Sequence, residues 1–283
     1  MNALIPVVAA ILQAGSFTLD KVILSMRHVG YKMYLGISFP LFWFCGFILF
    51  LIFRPPLGPE LFTGYLAWLL ALSIAISSMS NILYYRALDS DKLAELQAID
   101  LFKNIPIILF SSLLFADERN PVFVISAFIA AAAVIWSHWD GTHFKIARHT
   151  LSFLMWTVVV VPLGISTLKP LLAAWDPIAF LFVHDGIVAM FFWFLFSRAT
   201  EHVPLNAYGY FLLTNFLSVT AWVLFFISYK NSGIVYTTLL FSLEPLLVYF
   251  AAVLFLKERL DRRKAIAFLI VLASITISHL MQG

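Results

Sequence analysis

Charge is scarce in this chain. Asp, Glu, Lys and Arg together make up 12% of the 283 residues, against about 25% in soluble domains. The net formal charge is only +3, which excludes a basic footprint for nucleic acid. Cysteine occurs once, at Cys45, so no intrachain disulfide can form. Catalytic signatures are missing too. There is no Gly-x-Ser-x-Gly elbow, no His-Glu-x-x-His and no Gly-rich phosphate loop ending in Lys-Ser/Thr. His138, His143 and His149 have no metal-ligand spacing, so neither a metal nor a cofactor is expected.

Apolar residues fill the space that charge leaves. They reach 62%, against a soluble norm of about 45–50%, and mean hydropathy is +0.95. This composition predicts an all-α integral membrane protein. At about 20 residues per crossing, about ten transmembrane helices fit. The expected spans are 3–20, 33–53, 62–85, 93–116, 121–138, 151–170, 177–197, 205–229, 233–256 and 264–281. Turn-rich stretches separate them, and the polar stretch 138–149 reads as a linker between two halves, 1–140 and 149–283. The N-terminus has no basic flank and runs apolar to Leu19, which predicts an uncleaved first span. Trp68, Trp139 and Trp175 near span ends are expected as interfacial anchors.

A shift of 140 residues lays one half on the other. It pairs Leu114-Phe115 with Leu254-Phe255, Glu118-Arg119 with Glu258-Arg259 and Ala127-Phe128 with Ala267-Phe268. Apolar matches are cheap in such a chain, whereas two Glu-Arg pairs in register are not. Five spans per half is an odd number, so the second copy enters the membrane from the opposite side. The expected fold is therefore two inverted five-helix repeats, with a substrate site near the midplane between them.

Glu244 stands about ten residues into the ninth expected span. At about 1.5 Å per residue that is roughly 15 Å deep, the middle of a hydrocarbon layer about 30 Å thick. An acid at that depth must be protonated, paired or facing a wet cavity. Pro245 follows and frees a carbonyl near Phe241, adding polarity beside the acid. The shift of 140 carries Glu244 onto Asn104. Around Asn104, residues Gln97, Asp100 and Lys103 fall on one face of span four, and Asp100 and Lys103 are spaced to pair. The stripe reads either as a cavity wall or as an ion pair between helices.

Asn215, Asn81 and Tyr84 are further cavity candidates, with helix-to-helix hydrogen bonding as the other reading. His184 and Asp185 offer a proton relay or a buried packing pair. Lys21 and Lys169 end spans one and six, where snorkelling to the interface competes with capture of a substrate anion.

The run LEPLLVYFAAVLFLKERL at 243–260 resembles the ninth-helix motif of EamA-like members of the drug/metabolite transporter superfamily. A degenerate copy stands at 84–96 and 105–119, departing at Asp117, where that family often has a small residue. The resemblance covers essentially the whole chain. It implies ten helices in two repeats, a central cavity, and export or exchange of small metabolites or drugs across the cell's inner membrane, with a small molecule and the lipid bilayer as partners. It also implies that both termini are inside. Most of the 18 Lys and Arg, however, follow odd-numbered spans, and by the positive-inside rule this places both termini outside. Orientation stays open between the two. No nucleotide-binding segment is present, so uphill transport needs coupling to a proton or another ion, or to exchange. A non-transporting membrane scaffold, or an intramembrane hydrolase with Glu244 and Asp100 as paired acids, are the alternatives.

Overall fold

A computed structural model describes residues 4–90, 93, 96, 100–138, 148–200, 203, 207–255 and 262–281. Every regular element among them is helical. The first half contributes α1 (Leu4–Leu24), α2 (Tyr31–Phe53), α3 (Gly64–Ser90), α4 (Asn104–Leu114) and α5 (Pro121–His138). The second begins with α6 (Arg148–Val159), α7 (Val161–Ala174), α8 (Pro177–Phe196) and α9 (Ala207–Ser232). It ends with α10 (Ile234–Phe241), α11 (Leu243–Phe255) and α12 (Arg262–Leu280).

Among the described residues, six helical stretches are long and apolar enough to cross a membrane, or seven if one bent pair counts as a single span. That measure covers the described residues alone, so span four enters it only in part, as Asn104–Leu114, while spans five and ten are the helices Pro121–His138 and Arg262–Leu280. Span six is broken at Val160 into α6 and α7, which bend by 44°. Pro162, in the first turn of α7, has no amide hydrogen to continue the α6 ladder.

Helix ends follow local chemistry. Asp176 caps α8 through Oδ1, which accepts from the amides of Ile178 at 2.8 Å and Ala179 at 3.4 Å, and Pro177 supplies a preset first turn. Arg54 closes α2 in the left-handed region, with φ 47°, and donates its amide to Phe50 O at 2.8 Å. α1 runs to Leu24, one turn past its expected end, and so takes Asp20 and Lys21 inside the helix.

The principal helix pairings join one half to the other. α1 lies along α9 and touches α10 and α11, α2 lies along α8, and α5 along α12. α3 packs on α6 and α7, and α4 on α7 and α10. The α2–α8 seam is close because a glycine sits on each side. A Cβ on Gly46 would stand 2.6 Å from Leu181 Cδ2, and one on Gly186 would stand 2.7 Å from Trp43 Nε1. Small residues let helices approach where lipid offers no hydrophobic drive for association. Gly46 and Gly186 are themselves 140 residues apart. Large apolar side chains cover the outer faces, with Trp68 and Phe194 each 79% exposed and Leu254 73% exposed. Trp175 departs from expectation: it is fully buried between Phe62 and Phe180 and is no interfacial anchor. Trp139 lies outside the described residues.

Candidate functional site

A cavity of about 270 Å³ opens between the two halves, at the small end of ligand pockets, which run about 300–1,000 Å³. It is built around two helix breaks. A short 3₁₀ turn, Leu101–Lys103, leads into α4 at Asn104, and Ser242 interrupts the run from α10 to α11 just before Glu244. Each second segment carries a proline in its first turn, Pro106 and Pro245, where a missing amide hydrogen ends the preceding ladder. The breaks meet. Asn104 Nδ2 donates to Ser242 Oγ at 2.6 Å, and Ser242 Oγ donates to Thr238 O at 2.9 Å.

Glu244 is 3% exposed and lines the cavity. Its Oε1 has no hydrogen-bond partner among the described residues. A buried acceptor left unsatisfied is costly and marks a place for a donor, either a proton or a ligand. Asp100 and Lys103 lie within electrostatic reach of it and pair with each other. Both line the same cavity, as does Asn104. Structure thus brings Asn104, Asp100, Lys103 and Glu244 to one wall; Gln97 lies outside the described residues.

The same cavity is lined by a carboxylate that no pattern along a single helix marks. Asp20 is 1% exposed, and Oδ1 accepts from Tyr34 Oη and Thr214 Oγ1, each at 2.5 Å. Its Oδ2 accepts from Tyr85 Oη at 3.1 Å. Four helices, α1, α2, α3 and α9, therefore converge on one acid. Val22-Ile23-Leu24 after Lys21 continues the helix past Asp20 and turns a span-end acid into an internal one.

Other candidates fall where hydrogen bonds hold them. Asn215 accepts from Ser38 Oγ at 3.0 Å and donates to Phe211 O at 2.7 Å. Asn81 donates to Ser77 O at 2.9 Å, and Tyr84 packs at 5.2 Å from Phe17 and 5.5 Å from Phe153, ring to ring. All three line the cavity. His184 and Asp185 line it as well, joined Nδ1 to Oδ1 at 2.8 Å, with His184 Nε2 3.3 Å from Ser73 Oγ. That Ser-His-Asp order matches a hydrolase triad, but Ser73 is mid-helix in α3, where amides are bonded along the helix and cannot form an oxyanion hole.

The two remaining lysines serve the scaffold. Lys21 donates to Leu88 O at 2.6 Å, which replaces snorkelling with a tie between α1 and α3. Lys169 donates to Asp117 Oδ2 at 2.5 Å and Glu118 Oε1 at 2.8 Å, and sits 4.7 Å from the Phe115 ring centroid. That hydrogen bond holds the Asp117 carboxyl below its ordinary value. Glu118 in turn accepts from the amides of Ile234 at 2.9 Å and Val235 at 3.0 Å, capping α10 across the halves. Glu258 and Arg259, the second Glu-Arg pair, lie outside the described residues.

Comparison with known proteins adds a family match over part of the chain and a fold. Residues 150–280 match the EamA-like transporter family. No curated protein matches the chain. A crystal structure of a protein 15% identical superposes with a TM-score of 0.72, covering 96% of this chain and 98% of that one, a likeness of fold alone.

Proposed function

We propose, from the match of residues 150–280 to the EamA-like transporter family, that this multi-pass membrane protein is a secondary transporter that exports or exchanges small metabolites by alternating access. The observation that carries the reading is the cavity lined by residues of both halves at two broken helices. Breaks of this kind bring polar groups to mid-membrane without exposing backbone to lipid.

The pairing of helices supports two repeats over 1–140 and 149–283. Numbering the expected spans one to ten and exchanging each with its equivalent in the other half, span one against eight becomes span six against three. Both pairs are present, as α1–α9 and α3–α6/α7. Span two against seven and span five against ten map onto themselves, and these are α2–α8 and α5–α12. Span four against six becomes nine against one, again both present, as α4–α7 and α1–α10/α11. Gly46 and Gly186 are equivalent under the same exchange. With five spans per repeat, the copies have opposite topology.

In this reading Glu244 exchanges a proton or receives a cationic group during the cycle, Asp100, Lys103 and Asn104 stand beside it on the same wall, and the inner membrane is the site of action. A metabolite-release comparison of cells with and without the protein tests it. Expected is the release of a small set of metabolites that stops on Glu244→Gln. Identical release profiles with and without the protein would count against transport.

A further inference from the structure

The charges lining the cavity do not balance. Lys103 is committed to Asp100, and His184 Nδ1 to Asp185 Oδ1. Among the described residues lining the cavity, two carboxyl groups remain, Asp20 and Glu244. Asp20 is met by three hydroxyls, which disperse its charge without cancelling it. Glu244 Oε1 has no partner among the described residues, and the charges within its reach are Asp100 and Lys103, which form an ion pair. Burial makes an uncompensated carboxylate costly, so the cavity favours whatever brings positive charge to it.

Its walls narrow the form in which that charge can arrive. Tyr84 lies within electrostatic reach of both Asp20 and Glu244. Its ring centroid is 5.2 Å from that of Phe17, 5.0 Å from Tyr85 and 5.5 Å from Phe153. Faces of such rings attract cations and accept flat apolar bodies. A bare metal ion would make little use of them. A ligand carrying its own carboxylate would need a cation to meet it, and Lys103 is already paired. The volume of about 270 Å³ limits the ligand to a small molecule.

We propose that the cavity takes a small organic monocation, a protonated amine on an aromatic or branched apolar body, with its ammonium group between Asp20 and Glu244 against the Tyr84 ring. This rests on reading the cavity as the substrate site. The ammonium donates to the Glu244 carboxyl, whose Oε1 has no partner among the described residues, while Asp20 supplies further negative charge from α1. Tyr34, Tyr85 and Thr214 hold the Asp20 carboxyl in place, so it is a binding group set before the ligand arrives.

Four probes that share a phenylethyl unit test the proposal on the purified full chain at neutral pH, by titration calorimetry. They are 2-phenylethylamine, phenylalanine, 3-phenylpropionate and 2-phenylethanol. The amine is expected to bind at least tenfold more tightly than the zwitterion, the anion or the alcohol. Glu244→Gln and Asp20→Asn should each weaken the amine by about tenfold or more. Tyr84→Phe keeps the ring and should keep binding, while Tyr84→Leu should weaken it. Tighter binding of phenylalanine or phenylpropionate overturns the proposal, and so does no amine binding up to millimolar concentration. The ranking needs only the unmutated protein, so a variant that fails to fold does not shelter the idea. Counterflow of the same probes in proteoliposomes separates the two readings. Amine binding without amine counterflow supports the cation site and refutes transport, whereas phenylalanine counterflow without amine binding supports transport and refutes the cation site.

Discussion

Asn104 donates its side-chain amide to Ser242 Oγ at 2.6 Å, joining two helix starts that lie 138 residues apart in sequence. Each residue stands where a helix is interrupted, and each interruption precedes a proline by a few residues. The contact therefore ties together the two places where polar backbone comes closest to the cavity, and any relative motion of α4 and α11 must break or re-form it.

From that contact follows a test of access. Asn104→Cys, in a background with Cys45→Ala, is expected to react with a water-soluble thiol reagent in at least one transport state. Cys45 is buried in the α2 packing, and its removal clears the background. If the Asn104→Cys variant elutes as a single species yet takes up no reagent with or without substrate, the cavity lies elsewhere.

Part of this candidate site is legible in the sequence, and what is not legible shares one cause. Depth marks Glu244, Pro245 marks the helix break, and spacing marks the pairing of Asp100 with Lys103. Depth and spacing are properties of one helix. Asp20 was missed because its meaning depends on Tyr34, Tyr85 and Thr214 arriving from three other helices, which no periodicity encodes. Trp175 was misplaced for the same reason: an aromatic near a span end is interfacial only if no neighbouring chain covers it, and Phe62 and Phe180 do. The Gly46–Gly186 correspondence was present in the 140-residue shift but carries no chemistry until the helices are seen to touch there.

Those two glycines should not be equally tolerant. Adding a methyl at Gly186 meets Trp43 Nε1, part of a rigid ring that also donates to Phe182 O at 3.2 Å. At Gly46 the obstacle is Leu181 Cδ2, the end of a flexible side chain. Overpacking costs about 1–3 kcal/mol, so Gly186→Ala should fall near the top of that range and Gly46→Ala near or below the bottom. Thermal midpoints in detergent, followed by tryptophan fluorescence, would read the order. Equal midpoints would mean that the Trp43 ring moves aside freely.

Glu118 offers the largest stability effect. It is 6% exposed, accepts two backbone amides at the start of α10 and pairs with Lys169. Glu118→Ala leaves both amides without their acceptor and Lys169 with Asp117 alone, and each buried donor left unsatisfied costs about 1–3 kcal/mol. Glu118→Gln keeps one acceptor oxygen and should cost less. Unfolding in denaturant checks both, and a loss below about 1 kcal/mol for the alanine variant would show that water replaces the carboxylate.

Coupling is the last expectation, and Glu244 is its subject. Among the described residues, the groups within electrostatic reach of its carboxyl are Asp100 and Lys103, paired with each other, and the Tyr84 hydroxyl. A proton on Glu244 and a cation beside it satisfy the same orphaned oxygen, so the two compete for one place. Net transport should then depend on pH, rising on the side to which Glu244 releases its proton. Glu244→Gln keeps the shape of the neutral acid and removes the exchangeable proton. In liposomes with an imposed pH gradient, the variant should lose the gradient-driven component of net transport while eluting and unfolding like the parent. If the gradient drives Glu244→Gln as strongly as it drives the parent, the proton is carried elsewhere. His184, bonded to Asp185 and 3.3 Å from Ser73 in the same cavity, is then the next group to test.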